Sequence, residues 1–386
     1  YDDMNSVAGP ISFDYDAIFV YSDIEEKEGD EEQKEWLLEW DPGFIFPGLA
    51  DGGEIRYETI EPKRGEILDR NQMPLAINDY VYEIGIVPGQ LEDNEAEQKE
   101  TIARVLQISI DDIDQALSAS WVQPDLFVPI KQVPRTEEEK IAPLRQLPAI
   151  QIREVMGRVY PGGEAAAHLV GYTGPITAEE LESKDPGIYG PNDIVGKSGL
   201  ELLFDRQLKG DQGIRLTITR EGKEDLLLAE KEVKDGENIM VTIDINLQEM
   251  IYESFDGEAG TAAALHPETG ETLALVSSPA YDPNTLIYGN FQEEWQSLVN
   301  DPQNPLFNRF TATYAPGSVI KPITAAIGLK NGTIDPDEGI EIEGLTWSNG
   351  ENWGDYEVRR VSSTNAPVDL VDALVRSDNI YFAMKA

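Results

Sequence analysis

Ser318 and Lys321 stand three residues apart in the stretch "YAPGSVIKPITAAIGLKNG", Tyr314 to Gly332. A serine hydroxyl is a weak nucleophile until a neighbouring base takes its proton. A lysine amine can be that base when burial or nearby charge lowers its pKa toward neutrality. "APG" ends an extended segment, and "SVIKPITAAIGLK" has a helical pattern stopped by Asn331-Gly332. On the first turn of such a helix, residues i and i+3 share a face, so hydroxyl and amine would meet. The free N–H groups of the helix start favour negative charge developing there. Pro322 falls where a missing N–H costs least. Read alone, the same spacing also fits an N-cap serine followed by a solvent-facing lysine. Both residue types are common, and roughly one such match is expected by chance in a chain of this length.

Composition narrows the chemistry. The chain has no cysteine, which excludes disulfides, a thiol nucleophile and Cys-ligated zinc. Its two histidines, His168 and His266, lie far apart without metal-ligand spacing. No metal, no cofactor and no Ser-His relay are therefore expected. The balance of 30 basic against 73 acidic residues gives a net charge of -43. Such a field repels polyanions, so nucleic acid is not an expected partner, and neither is an anionic lipid surface. The acidity fits either a solvated surface or adaptation to salty or alkaline surroundings. No apolar run is long enough to span a membrane, and no signal peptide is visible. The abrupt opening "YDDMNS" and the ending "YFAMKA", inside an apolar run, predict a chain cut at both ends, with any targeting segment lost from the first.

The elements that must hold Ser318 and Lys321 are legible in outline. A chain of 386 residues exceeds one compact core and predicts two or three domains. Residues 11–22, "ISFDYDAIFVYS", read as a strand, and the acid-rich run 23–35 as a solvated loop or charged turn. "EWLLEWDPGFIFPGLADGG" resumes apolar character and ends in turn residues, marking a boundary near 51–54. Ile55 to about Arg220 mixes strands such as "YEIGIVPG" with helices. "NEAEQKETIARVLQIS" is one, and "SIDDIDQALSAS", with Ser109 as N-cap, is another. "IVGKSGLELLFDRQLKG" has helical spacing closed by Gly210. "GENIMVTIDINLQ" passes from strand into helix and opens a third region. There, "GTAAALHPETGETLALVSSPAYDPN" reads as a hairpin with a tight turn at "HPETG". The closing "DLVDALVRSDNIYFAMKA" reads as two helical stretches meeting at "RSDN". The expected class is α+β, in domains 1–53, 54–235 and 236–386.

Ser377-Asp378-Asn379 completes a pattern. S-x-x-K, S-D-N and K-T-G occur together in penicillin-binding proteins and class A β-lactamases. Ser363-Thr364-Asn365 also fits S-x-N, but the later triplet joins two helical runs, a corner able to aim both side chains into a cleft. The chain resembles a class B penicillin-binding protein, a D,D-transpeptidase of cell-wall assembly. "EPKRGEILDRNQMPLA", Glu61 to Ala76, is similar to the family's signature at the start of its pedestal domain, with Gln72 where Gly is usual. "GRVYPGGEAAAHLVGYTG" and "GKSGLELLFDRQLKG" resemble two further pedestal motifs. "HPETGETLALVSSPAYDPN" resembles the opening strands of the transpeptidase domain, with His266 where Asp is commoner. "KEWLLEWDPGFIFPGL" resembles the last part of the extra N-terminal domain of the low-affinity, methicillin-resistance type branch, a cone-like α+β domain folded like nuclear transport factor two.

The resemblance implies roles. Ser318 would be the acylated nucleophile and Lys321 its general base. Ser377 would relay a proton to the leaving group, and Asn379 would hydrogen-bond the substrate amide. The backbone N–H of Ser318 would form half of an oxyanion hole. The substrate would be the D-Ala-D-Ala end of a peptidoglycan stem peptide, with β-lactams as covalent mimics and a glycosyltransferase as a cell-wall partner. The protein would act outside the cytoplasm, anchored by an N-terminal membrane helix that this chain lacks. No K-T-G or K-S-G follows Asn379, so the transpeptidase domain reads as incomplete. Two other readings stay open: a serine β-lactamase or β-lactam sensor, against which the long pedestal argues, and a non-catalytic wall scaffold.

Overall fold

The structure, a computed structural model, describes residues 4–14, 16–23, 34–91, 94–289, 291–350 and 353–385. Most of the acid-rich run, residues 24–33, lies outside them. The fold is mixed α/β and divides into two compact units, Tyr1–Thr311 and Ala312–Ala386. Among the described residues no helix is long and apolar enough to cross a membrane.

In the first unit the strand Pro74–Ile86 organises a five-stranded sheet. Its first residues pair with Ile67–Leu68, and the rest pairs antiparallel with both Ile150–Val159 and Val128–Pro134. Side chains alternate across a strand, and Tyr82, Ile84 and Ile86 share one face. They pack on Ile102, Leu106 and Ile113 of the helices Glu95–Leu106 and Ile110–Leu117. The second helix starts at the expected cap. Ser109 Oγ accepts the Asp112 N–H at 3.0 Å, and the Asp112 carboxylate accepts the Ser109 N–H at 3.0 Å. Gly213–Thr219 forms a separate three-stranded antiparallel sheet with Glu54–Ile60 and Leu226–Lys231.

The pedestal-like motifs converge on one buried ion-pair cluster. Arg64 of "KRGEILDR" reaches Glu201 at 2.8 Å and Asp205 at 2.9 Å. Arg158 of "GRVYPGG" reaches the other oxygen of Glu201 at 2.8 Å, and the Tyr160 hydroxyl donates to it at 3.2 Å. Asp205 also accepts the Gly196 N–H at 2.8 Å and the Tyr189 hydroxyl at 2.9 Å. With Lys184 at 3.4 Å from Asp205, three cations face two multiply hydrogen-bonded carboxylates, the condition under which buried charge is tolerated. Asp69 of the same first motif is fully buried and accepts the N–H groups of Asn71, Met73 and Ile245. This ties the start of the helix Ile245–Ser254 to the pedestal motif. Gly65 has no room for a side chain, since a Cβ there would stand 2.0 Å from the Glu237 carbonyl oxygen. Gln72 has φ 63°, a left-handed turn that explains why glycine suits the position.

Two local readings change. Residues 11–22 are not one strand: Gly9–Ile11 and Phe19–Asp23 are strands, and Phe13 between them packs on Phe46. "GKSGLELLFDRQLKG" folds as two short helices, Gly199–Leu203 and Asp205–Lys209, with Phe204 out of helical geometry. At the hairpin Gly260–Leu265 and Thr272–Ser278, His266 caps the turn. Its Nδ1 faces the N–H groups of Glu268 at 3.3 Å and Thr269 at 3.2 Å, as a carboxylate would. His168 is buried against Arg309, and desolvation first, then that charge, lowers its pKa to about 4. Its Nε2 lies 3.2 Å from the Phe307 carbonyl, a neutral ring in a structural role.

The second unit packs around Ala325, Ile334, Ile342, Val368, Leu370, Ala373, Ile380, Tyr381 and Phe382. Its helices are Lys321–Asn331, Leu370–Val375 and Asn379–Lys385, and Thr346–Trp347 pairs with Val358–Arg359.

Candidate active site

Ser318 lies in a 3₁₀ turn, Gly317–Ile320, and Lys321 is the first residue of the α-helix that follows. The expected α-helical start at Ser318 is therefore one turn early. Gly317, at φ 57°, and Pro316 set the chain into the tighter turn, closed by the Lys321 N–H donating to the Ser318 carbonyl. In a 3₁₀ turn residues i and i+3 eclipse each other, so the two side chains face each other more directly than in an α-helix. Lys321 Nζ lies 3.2 Å from Ser318 Oγ. The lysine is 7% exposed although Ser318 is exposed.

The other side of the amine is built by the corner between the last two helices. Leu370–Val375 ends in a Schellman motif: the Ser377 N–H donates to the Leu374 carbonyl and the Asp378 N–H to the Ala373 carbonyl, at 3.2 and 2.8 Å. The motif requires a left-handed residue, and Ser377 occupies it at φ 55°. That turn aims both the Ser377 carbonyl and its hydroxyl at Lys321 Nζ, at 2.6 and 2.8 Å. Asn379 Oδ1 completes the set at 2.5 Å, and Asn379 Nδ2 donates to the Arg359 carbonyl at 2.8 Å. All four residues singled out in the sequence thus meet at one amine. Ser363-Thr364-Asn365 sits in an exposed bend, where Thr364 Oγ1 accepts the Ala366 N–H.

Burial is the first cause holding the Lys321 pKa below its usual range, and the charge of Asp378 opposes it. A neutral amine has one lone pair and two N–H donors. The Ser377 carbonyl and Asn379 Oδ1 take the two donors, which leaves the lone pair for the Ser318 hydroxyl proton and the Ser377 hydroxyl free to turn. The arrangement can activate a serine without histidine or metal.

Two further residues support the corner, and only the first carries a sequence signal. Asp378 caps the last helix by accepting the N–H groups of Ile380 and Tyr381 at 2.9 and 3.2 Å. An acid just before an apolar run is a readable N-cap signal. Its other oxygen accepts from Arg360 at 3.0 Å in a buried pair. Arg360, within "EVRRVSS", has no periodicity to mark it as buried, and nothing local could have found it.

Comparison with known proteins identifies the domains that carry this geometry. The penicillin-binding protein dimerisation domain matches residues 59–241, and the penicillin-binding protein transpeptidase domain matches residues 260–386. The chain is 45% identical over 383 residues to "Penicillin-binding protein 3" of Bacillus subtilis, covering 99% of this chain and 56% of that protein. It is 31% identical over 295 residues to "Peptidoglycan D,D-transpeptidase MrdA" of Escherichia coli K12, covering 74% of this chain and 46% of that protein. The chain spans about half the length of these curated relatives. Among solved structures, the penicillin-binding protein PBP2 of Helicobacter pylori, in complex with MreC, superposes with a TM-score of 0.64 at 26% identity, covering 86% of this chain and 62% of that one. The chain carries the dimerisation and transpeptidase domains of penicillin-binding proteins and is homologous to their class B members.

Proposed function

We propose that this chain belongs to a peptidoglycan D,D-transpeptidase that works through an acyl-enzyme on Ser318. The observation that carries the reading is the placement of Lys321 Nζ between Ser318 Oγ and the Ser377 and Asn379 oxygens. Lys321 accepts the Ser318 hydroxyl proton as Oγ attacks the carbonyl carbon of the D-Ala-D-Ala peptide bond. The C–N bond then breaks, and the proton passes from Lys321 through the Ser377 hydroxyl to the departing D-Ala amine. The amine of a neighbouring stem peptide attacks the ester, forming the cross-link and returning the proton to Ser318. Asn379 keeps its second Nδ2 proton for the substrate amide, and the Ser318 N–H serves as one oxyanion donor. In the family pattern the other donor comes from the strand of the K-T-G motif. β-Lactams acylate Ser318 by the same attack on their ring carbonyl.

The remaining parts of the reading rest on the resemblance of the sequence motifs. The protein acts at the outer face of the membrane, held by an N-terminal helix. Residues 1–53 are read as the end of an N-terminal domain like nuclear transport factor two, and the resemblance of "KEWLLEWDPGFIFPGL" supports the low-affinity, methicillin-resistance type branch. Residues 54–235 are the pedestal and 236–386 the start of the transpeptidase domain. A glycosyltransferase and a protein like MreC, the companion of the Helicobacter pylori PBP2, are its partners in wall assembly.

A fluorescent penicillin tests the reading. The full-length protein should be labelled covalently, Ser318→Ala should lose the label, and a stem pentapeptide with an acceptor amine should give cross-link and D-Ala. Absence of label would favour a scaffold. Rapid β-lactam hydrolysis without cross-linking would favour a lactamase or sensor.

A further inference from the structure

Asp378 places a carboxylate between Ser377 and Asn379, in the corner that surrounds Lys321. Its charge draws the amine toward the protonated form, which cannot accept the Ser318 proton. Arg360 stands against that charge, with Nη1 at 3.0 Å from Asp378 Oδ2 and both side chains 1% exposed. The same guanidinium donates to the Ile342 carbonyl at 2.7 Å and the Gly344 carbonyl at 2.9 Å, so three anchors fix its plane. One residue earlier, the Arg359 carbonyl holds Asn379 Nδ2 and so turns Oδ1 toward Lys321.

We infer that Arg360 is a positioning residue for acylation: its pair with Asp378 holds the Ser377–Asn379 corner around Lys321 and keeps the Asp378 charge from retaining the proton on the amine. The inference rests on the reading of Ser318 as the acylated residue. It asks Arg360 to do two things at once, geometric and electrostatic, and the second leaves a mark that mere folding support would not.

The charged and titratable groups on the elements around Lys321 are few. Its own helix carries Lys330. The corner helix and its cap carry Asp369, Asp372 and Arg376, with Asp372 and Arg376 at 3.8 Å from each other. The last helix carries Tyr381 and Lys385, the latter paired with Glu338 at 2.5 Å. The short strand Val358–Arg359 brings Arg359, with Arg360 beside it. Asp378 is the charge that acts on Lys321.

The test is the pH profile of Ser318 acylation by a fluorescent penicillin in the full-length protein, whose acid limb reports the base in the free enzyme. Arg360→Gln leaves Asp378 uncompensated and should move the limb to higher pH by about one unit, the size of a neighbouring charge effect. Asp378→Asn leaves Arg360 uncompensated and should move it to lower pH. The double variant removes both charges and should return the limb to the parent position at a reduced rate. Arg360→Lys, which keeps the charge but not the three anchors, should hold the limb and lose rate. If Arg360→Gln does not fold, the inference still requires Asp378→Asn to lie below both the parent and the double variant. A limb common to all variants, with only the amplitude falling, would overturn it. A parent not labelled at Ser318 would overturn the function and this inference together.

Discussion

Ser377 does two jobs that pull against each other. Its backbone must take the left-handed conformation that closes the helix Leu370–Val375, and its hydroxyl must meet Lys321. A left-handed L-residue costs about 1–2 kcal/mol. Glycine escapes that cost but loses about 0.5–1 kcal/mol of unfolded-chain entropy relative to alanine. Ser377→Gly and Ser377→Ala both delete the hydroxyl and both keep the carbonyl that holds Lys321. Their difference therefore isolates the backbone, and the glycine variant should be the more stable by roughly 0.5–1 kcal/mol. The measurement is the denaturant midpoint of the transition in which residues 312–386 unfold, with parent and both variants side by side. Acylation by a fluorescent penicillin should fall in both, on the order of a hundredfold, as expected when a proton relay is removed. Equal midpoints for Gly and Ala would refute the strain argument. Undiminished acylation in either variant would refute the relay, and stability and activity would not be in conflict at this residue.

Other consequences follow from the same structure. Acylation should rise with pH through the titration of Lys321, whose folded pKa is lowered; Lys321→Arg, always protonated, should abolish it in a gel-labelling assay across all pH values. The lowered His168 pKa, about 4 against 6.5, means the unfolded chain binds its proton first on acidification. Stability should therefore fall as pH drops from about 6.5 to 4, by about 3 kcal/mol at 1.36 kcal/mol per unit. His168→Gln should flatten that window in urea midpoints, and an unchanged slope would count against it. Arg64→Ala leaves one Glu201 oxygen without its cation and takes one of several partners from Asp205, and should cost about 3 kcal/mol, the low end of the penalty for breaking a buried pair. Loss below 1 kcal/mol by denaturant titration would mean the cluster is not what holds these motifs together.

The sequence by itself determined the local elements whose signals are local. The capping box at Ser109, the hairpin turn at "HPETG" and the two helices meeting at "RSDN" each depend on residues within a few positions of one another. The S-x-x-K spacing likewise brought Ser318 and Lys321 to one face, because a single turn of chain suffices for that. The choice of Ser377-Asp378-Asn379 over Ser363-Thr364-Asn365 rested on a corner between helices, again a local feature. Tertiary structure alone decided the rest. Whether Lys321 is a solvated surface charge or a buried amine depends on the corner at Ser377 and Asn379 packing over it, across 56 and 58 positions. Arg360 meets Asp378 across 18 positions through carbonyls at Ile342 and Gly344 that carry no side-chain signal. Arg64 meets Glu201 across 137. Desolvation and charge pairing are properties of what packs together in space, and no spacing along the chain encodes them.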